Sequence, residues 1–174
     1  MNKYAIILIN SSFKRHNISK LSIDATDLKI LQKLQVRARI SNIELAGEVG
    51  ISPSACLRRV RELENNGVID KYVTIINPLI LGLGVTVMIS VTLEQQVEKA
   101  LESFEKAVRQ WPEIMETYLM TGDSDYLLRV VVSDLPAYEK FLMERLTKLP
   151  GISSIKSSFA LKEILHRTAL PIKV

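Results

Sequence analysis

Cysteine is nearly absent. Cys56 stands alone among 174 residues, so neither an internal disulfide nor a cysteine-based zinc site can form. The two histidines, His16 and His166, lie in segments without metal-ligand spacing, and no metal or cofactor is expected. Long apolar runs are missing as well. Tyr4 to Ile9 is too short to span a bilayer or to form a full signal-peptide core, so no membrane partner is expected and a reducing cytoplasm fits. Glycine (7) and proline (6) are few, while 47% of residues are hydrophobic and 24% charged, which excludes wholesale disorder. The length allows one ordinary domain or two small ones.

The charge is unevenly placed. Residues 1–77 hold 12 Lys/Arg against 7 Asp/Glu, whereas residues 78–174 hold 11 against 12, so the whole excess of +4 arises in the first half. A basic module joined to a near-neutral one reads as a polyanion-binding head on a separate body.

Three helix starts follow in quick succession. Asp24 can cap the first, with Ile23 and Leu28 as a hydrophobic staple. Ser41 and Glu44 have the spacing of a capping box, flanked by Ile40 and Leu45. Ser52 can cap the third, with Pro53 in the first helical position, where a missing N–H costs nothing. The first helix is predicted to run to about Leu34, the second to Val49 and the third to Asn65 or Asn66, where Gly67 supplies a left-handed cap. Val68 to Ile76 is rich in β-branched residues and predicts a strand or short hairpin. Asn77-Pro78 breaks it, and residues 78–84 read as a hinge.

Residues 85–174 contain a near-repeat. Strand-like Val85 to Leu93 precedes a helix from about Gln95 with Val97, Leu101, Phe104 and Val108 at helical spacing. Strands follow at Met115 to Thr121 and Tyr126 to Ser133, separated by a turn at Gly122 to Asp125. A second helix presents Leu135, Tyr138, Leu142 and Leu149, and Leu149-Pro150-Gly151-Ile152 leads into a last strand. The order βαββαβ is the ferredoxin-like plan, an antiparallel sheet with two helices on one face. Its other apolar face predicts self-association.

The second helix, the turn at Gly50-Ile51 and the third helix have helix-turn-helix spacing. At about 100° per residue, Cys56, Val60 and Leu63 fall together and face inward. Ser54, Arg58, Arg61 and Asn65 face outward, with Arg59 on a flank. Arg58 is placed to read a base edge, since a guanidinium matches the two acceptors of guanine. Arg59 and Arg61, further along, suit phosphates, as do Ser52 and Ser54 at the helix N-terminus. Lys71 on the expected wing, and Arg37 and Arg39 between the first two helices, are placed for backbone contacts.

The residues Ile40-Ser41-Asn42-Ile43-Glu44-Leu45-Ala46 and Gly50-Ile51-Ser52-Pro53-Ser54-Ala55-Cys56-Leu57-Arg58-Arg59-Val60 resemble the Lrp/AsnC family of feast/famine regulators. So do Leu63 to Ile69, Gly122-Asp123-Ser124-Asp125-Tyr126-Leu127-Leu128-Arg129-Val130 and Leu149-Pro150-Gly151-Ile152. The likeness covers about Leu21 to Leu170. It implies an α+β chain, with a winged helix-turn-helix over 21–77 joined to a ferredoxin-like, RAM-type domain over 85–174. It also implies double-stranded DNA and an amino-acid effector as partners, and dimers often assembled into octamers. By resemblance the effector lies between dimers against the loop Thr121, Gly122, Asp123 and Asp125, with Ser158, Phe159 and Ala160 shaping the pocket. A loop carboxylate such as Asp125 is suited to the ligand's ammonium group, and backbone N–H groups near Gly122 to its carboxylate. Lys71 and Ala38 stand where the family usually has glycine, and residues 1–20 have no counterpart in its pattern. Two rival functions are an architectural DNA-binding protein that ignores small molecules and a small enzyme or enzyme-regulatory subunit. No Cys/His pair, paired acid/base site or phosphate-binding glycine loop supports the enzyme.

Overall fold

The computed structural model describes residues 22–173, so the extension at 1–20 lies outside the described residues. Packing divides the chain into two units. One runs to Ile75 and takes in the segment from Leu165 onward; the other is Ile76–Ile164.

The first unit is built on α1 (Ala25–Val36), α2 (Asn42–Val49) and α3 (Pro53–Asn65). Each start is capped by its own side chains, which satisfy N–H groups that the helix cannot. The Asp24 carboxylate accepts from the Asp27 N–H and the Asp27 carboxylate from the Asp24 N–H, a reciprocal box. Ser41 and Glu44 repeat that arrangement on α2, and Ser52 accepts from the Ala55 N–H on α3. At the other end of α3 the Val68 N–H donates to the Leu63 carbonyl and the Gly67 N–H to the Glu64 carbonyl. That is a Schellman closure, with Gly67 at φ +70°, where a side chain would be strained. Ile30, Leu45, Ala46, Cys56 and Leu63 form the core, and Leu34, Val60, Val68 and Ile69 pack around it. Each fully buried large aliphatic side chain contributes about 1.5–3 kcal/mol of hydrophobic free energy. Cys56 is free and buried in this core, and burial pushes its thiol up from its ordinary pKa.

Beyond Ile69 the structure departs from the expected strand. Among the described residues, 70–77 form neither helix nor ladder, and Pro78–Leu81 makes one short 3-10 turn. The β-branched composition is suited to a strand, but a strand exists only where a neighbour takes its backbone groups.

The second unit holds β1 (Val85–Leu93), α4 (Glu98–Val108), β2 (Ile114–Leu119), β3 (Tyr126–Val132), α5 (Leu135–Glu144) and β4 (Ile152–Phe159). The sheet order is β2-β3-β1-β4 and every pairing is antiparallel, the ferredoxin-like arrangement. Val87, Ile89, Val91, Tyr126, Leu128 and Val130 are buried beneath Leu101, Phe104, Val108, Tyr138 and Phe141 of the helices. Ring contacts lock the layers: Phe104 on Tyr126, and Tyr138 edge-on to Phe159. Residues of the opposite face, among them Met88, Leu127, Arg129 and Val131, stay half-exposed. Two details differ from the periodicity. Val97 is the N-cap of α4 and lies outside the helix, and Leu135 is exposed where Phe141 takes the core position. No helix among the described residues is long and apolar enough to cross a membrane.

Candidate nucleic-acid interface and effector loop

Helix α3 carries two opposed faces. Cys56 and Leu63 are buried against α1 and α2, and Ser54, Arg58, Arg61 and Asn65 are exposed on the other side. The turn into α3 is fixed locally: Gly50 and Ile51 both donate their N–H to the Ala46 carbonyl. The Asn42 side chain adds a bond from its Nδ2 to the Pro53 carbonyl at 2.8 Å, tying the start of α2 to the start of α3. Nothing in the sequence announces that contact, because an asparagine in a helix's first turn looks like an ordinary polar surface residue.

The two adjacent arginines are held differently. Arg58 donates to Glu62 at 2.8 Å, a pair exposed on both sides. Arg59 donates to Asp24 and to Asp27, each at 2.8 Å, and its own side chain is only 24% exposed. Arg59 was expected on a phosphate; the structure commits its guanidinium to the α1 capping box. The backbone bond from Asp27 is the largest influence holding the Asp24 carboxyl below its usual pKa, with Arg59 adding to it. The Asp-x-x-Asp spacing at 24 and 27 was the available signal, since two carboxylates brought together need a cation.

Arg61, Arg39 and Lys71 are exposed and make no ion pair among the described residues. Arg37 and Lys33 both hold Glu48. The hydrogen bond from Lys33 contributes most to lowering the Glu48 pKa. Ser52 is occupied as a cap, and its hydroxyl lies 3.2 Å from that of Ser54. Behind α3 the Tyr72 hydroxyl donates to Glu64, and burial together with that carboxylate pushes the phenol up to about 12.

In the second unit, Thr121, Gly122 and Asp123 form an exposed turn between β2 and β3, with Gly122 at φ +141°. Asp125 is different. It is 7% exposed; one carboxylate oxygen accepts from the Leu93 N–H at 2.7 Å and the other from Gln96 Nε2 at 2.6 Å. Its backbone is equally engaged, the N–H donating to Val91 and the carbonyl accepting from Met120. Asp125, expected to meet the ligand's ammonium, braces the loop in this structure. The role of Gln96, 29 residues away, carries no local signal. Ser158 is exposed on β4 opposite Met88. A groove of about 320 Å³ in this unit is lined by Glu113, Lys140, Phe141 and Arg145, and none of the loop residues borders it. Among the described residues there is no cluster of three or more potential metal ligands.

A three-helix head with an outward basic helix, followed by an antiparallel α+β unit with an exposed loop, defines a DNA-binding regulator with a separate sensing domain. Residues 23–70 match the family model of a winged helix-turn-helix DNA-binding domain, and residues 86–170 match that of the Lrp/AsnC ligand-binding domain. The chain is 44% identical over 150 residues to the Bkd operon transcriptional regulator of Pseudomonas aeruginosa, covering 86% of this chain and 98% of that one. It is 40% identical over 151 residues to the leucine-responsive regulatory protein of Escherichia coli K12, covering 87% and 92%. A transcriptional regulator of Neisseria meningitidis solved in complex with L-Met superposes with a TM-score of 0.83 at 40% identity, over 86% of this chain and 97% of that one. The chain belongs to the Lrp/AsnC family of transcriptional regulators, a non-enzymatic family.

Proposed function

We propose that this regulator reads duplex DNA with the Ser54, Arg58 and Arg61 face of α3 and holds the phosphates with Ser52, Arg39 and Lys71. The observation that carries the reading is the two-sidedness of α3: Ser54, Arg58, Arg61 and Asn65 are exposed while Cys56 and Leu63 are buried on the other side. Arg59 drops out of the contact set because two aspartates already hold it. The protein acts in the cytoplasm, where such DNA is met.

Its effector is an α-amino acid held against Thr121, Gly122 and Asp123, with Ser158 nearby in the pocket. The exposed Asp123 carboxylate takes the ammonium group, since both oxygens of Asp125 are occupied. Backbone N–H groups around Gly122 take the carboxylate. The loop stands open in a single chain, which suits a site closed by a second copy in a dimer or octamer. Methionine is the first ligand to try, because the relatives from Neisseria meningitidis and Mycobacterium tuberculosis were solved with it.

A gel shift against the chain's own upstream DNA tests the first half. Retardation at low salt that weakens as salt rises is expected; no retardation at low salt overturns it. Thermal shift against a panel of amino acids tests the second half, and a flat response across the panel assigns an architectural role instead.

A further inference from the structure

The segment that follows β4 does not finish in the sensing unit. It leaves the sheet at Ala160, whose N–H donates to the Thr86 carbonyl at 2.9 Å, and from Leu165 onward it packs with the head. There it is held by two glutamines one turn apart on α1. The Leu170 N–H donates to Gln35 Oε1 at 2.6 Å, and Gln35 Nε2 returns a bond to the Leu170 carbonyl at 3.4 Å. Gln32 Nε2 donates to the Ile172 carbonyl at 3.0 Å.

Every backbone N–H of Leu170 to Ile172 is accounted for. Leu170 gives its N–H to Gln35, Pro171 has none, and Ile172 gives its N–H to the Leu170 carbonyl at 2.8 Å. One glutamine amide thus treats Leu170 as a neighbouring strand would, pairing with both of its backbone groups. Ile172 is half-buried, whereas Leu161, Ile164, Leu165 and Leu170 are exposed. The contact is therefore local to three residues and is made chiefly through backbone.

The same helix reaches the DNA-reading helix at its other end. Asp24 and Asp27, at the start of α1, hold Arg59 of α3. A covalent and hydrogen-bonded path thus runs from β4, which carries Ser158, through residues 161–169 to Gln35 and Gln32, then along α1 to Arg59. Nine extended residues reach at most about 30 Å, which bounds how far β4 and the docked segment can separate.

We propose that the Gln32–Gln35 face of α1 is the docking site for the chain's own Leu170–Ile172 segment. Through this strap, the state of the effector loop and β4 changes the DNA affinity of the head. The coupling half of this proposal rests on the effector reading above; the docking half does not.

The docking half is tested on the full chain by hydrogen–deuterium exchange of the 165–174 peptide. Protection is expected in the parent and lost in the Gln32→Ala/Gln35→Ala double variant. A peptide that is unprotected in the parent, or equally protected in the variant, overturns it. A Gln35→Cys/Leu170→Cys variant treated with a short bis-maleimide separates the two possible sources of the segment. A cross-link within one chain is expected, and a cross-linked dimer overturns the intrachain strap.

The coupling half is read from DNA affinity with and without L-methionine, or whichever panel amino acid shifts the parent's Tm. The double variant is expected to bind effector-free DNA within twofold of the parent and to keep the same ligand-induced Tm shift. Its change in DNA affinity on adding the amino acid should fall at least fivefold. An unchanged response overturns the proposal, and so does an equal loss of affinity with and without ligand. If no amino acid shifts the parent's Tm, the effector reading and the coupling fail together, while the exchange result on docking still stands.

Discussion

Arg58 shares its guanidinium with Glu62 one turn along α3, and because both side chains are more than half exposed the pair is easily opened. A guanine edge offers two acceptors that match the two arms of one guanidinium, whereas Glu62 takes a single bond from it. Arg58→Ala is therefore expected to lose about 1–3 kcal/mol on the specific site and much less on random DNA. Fluorescence anisotropy on both sequences measures the difference, and equal losses would remove Arg58 from the base-reading role. Arg59→Ala should behave otherwise. It strands the buried Asp27 carboxylate and is expected to destabilise the head by about 1–2 kcal/mol, with Arg59→Lys restoring part of the loss because both bonds leave a single guanidinium nitrogen and an ammonium also carries more than one N–H. Denaturant melts of the three proteins check this ranking. The outward set Ser54, Arg58, Arg61 and Asn65 was legible from helical periodicity alone. The commitment of Asp125 was not, because its partners lie about thirty residues away in sequence and are brought near only by the fold, and for Arg59 the Asp24–Asp27 spacing announces the need for a cation without saying which one.

The same carboxylates give the head a sign with pH. Asp24, Glu44 and Glu48 all have pKa values lowered from 3.8 or 4.5, by a backbone bond from Asp27, the Ser41 bonds and the Lys33 bond respectively. A group whose folded pKa is depressed contributes stability that is present above its unfolded pKa and lost as pH falls through the folded one. The Tm of the chain is thus expected to be flat above about pH 5 and to drop below the ordinary carboxylate range. Glu48→Gln and Asp24→Asn should each shallow that drop; a slope unchanged in both variants would refute the assignment.

At the scale of elements, caps decided what could be foreseen. Each of the three helices of the head starts on a side chain that was recognisable in advance, and α3 stops on Gly67. Gly67→Ala meets nothing within 4 Å, so its cost is backbone strain alone at φ +70°. A loss of about 1 kcal/mol is expected, and Gly67→Asn should cost less because asparagine tolerates the left-handed region. Thermal melts of the two variants order them; a cost of several kcal/mol for alanine would mean that packing, not strain, is involved. Residues 68–76 show the limit of such reading. Their β-branched composition signals a strand, yet pairing is a property of two segments and the second is not written next to the first. In the sensing unit β1 and β3 alternate buried and half-exposed positions along most of their length. In α5 Leu135, at the first helical position, is exposed, whereas Tyr138 and Phe141 are buried.

For the whole molecule, the half-exposed face of the sheet bears on how DNA is read. Met88, Leu127 and Val131 lie on the face of the sheet opposite α4 and α5, interspersed with Ser90 and Arg129. An antiparallel sheet can leave one face wet, but these apolar positions gain by meeting a second copy. Two copies related by a two-fold axis carry two α3 helices, and such a pair fits half-sites about 34 Å apart, one turn of DNA. Binding is expected to be tightest on duplexes whose half-sites are spaced by whole turns and weaker at half-turn offsets, where one head faces away. Leu127→Asp places a charge on the apolar patch and should shift the sedimentation coefficient toward the single chain. The same variant should lose the spacing preference while keeping weak, salt-sensitive affinity for a lone half-site. If it stayed assembled, the open face would not be the interface. If it came apart and still preferred whole-turn spacing, the preference would have to arise from the DNA and not from paired heads.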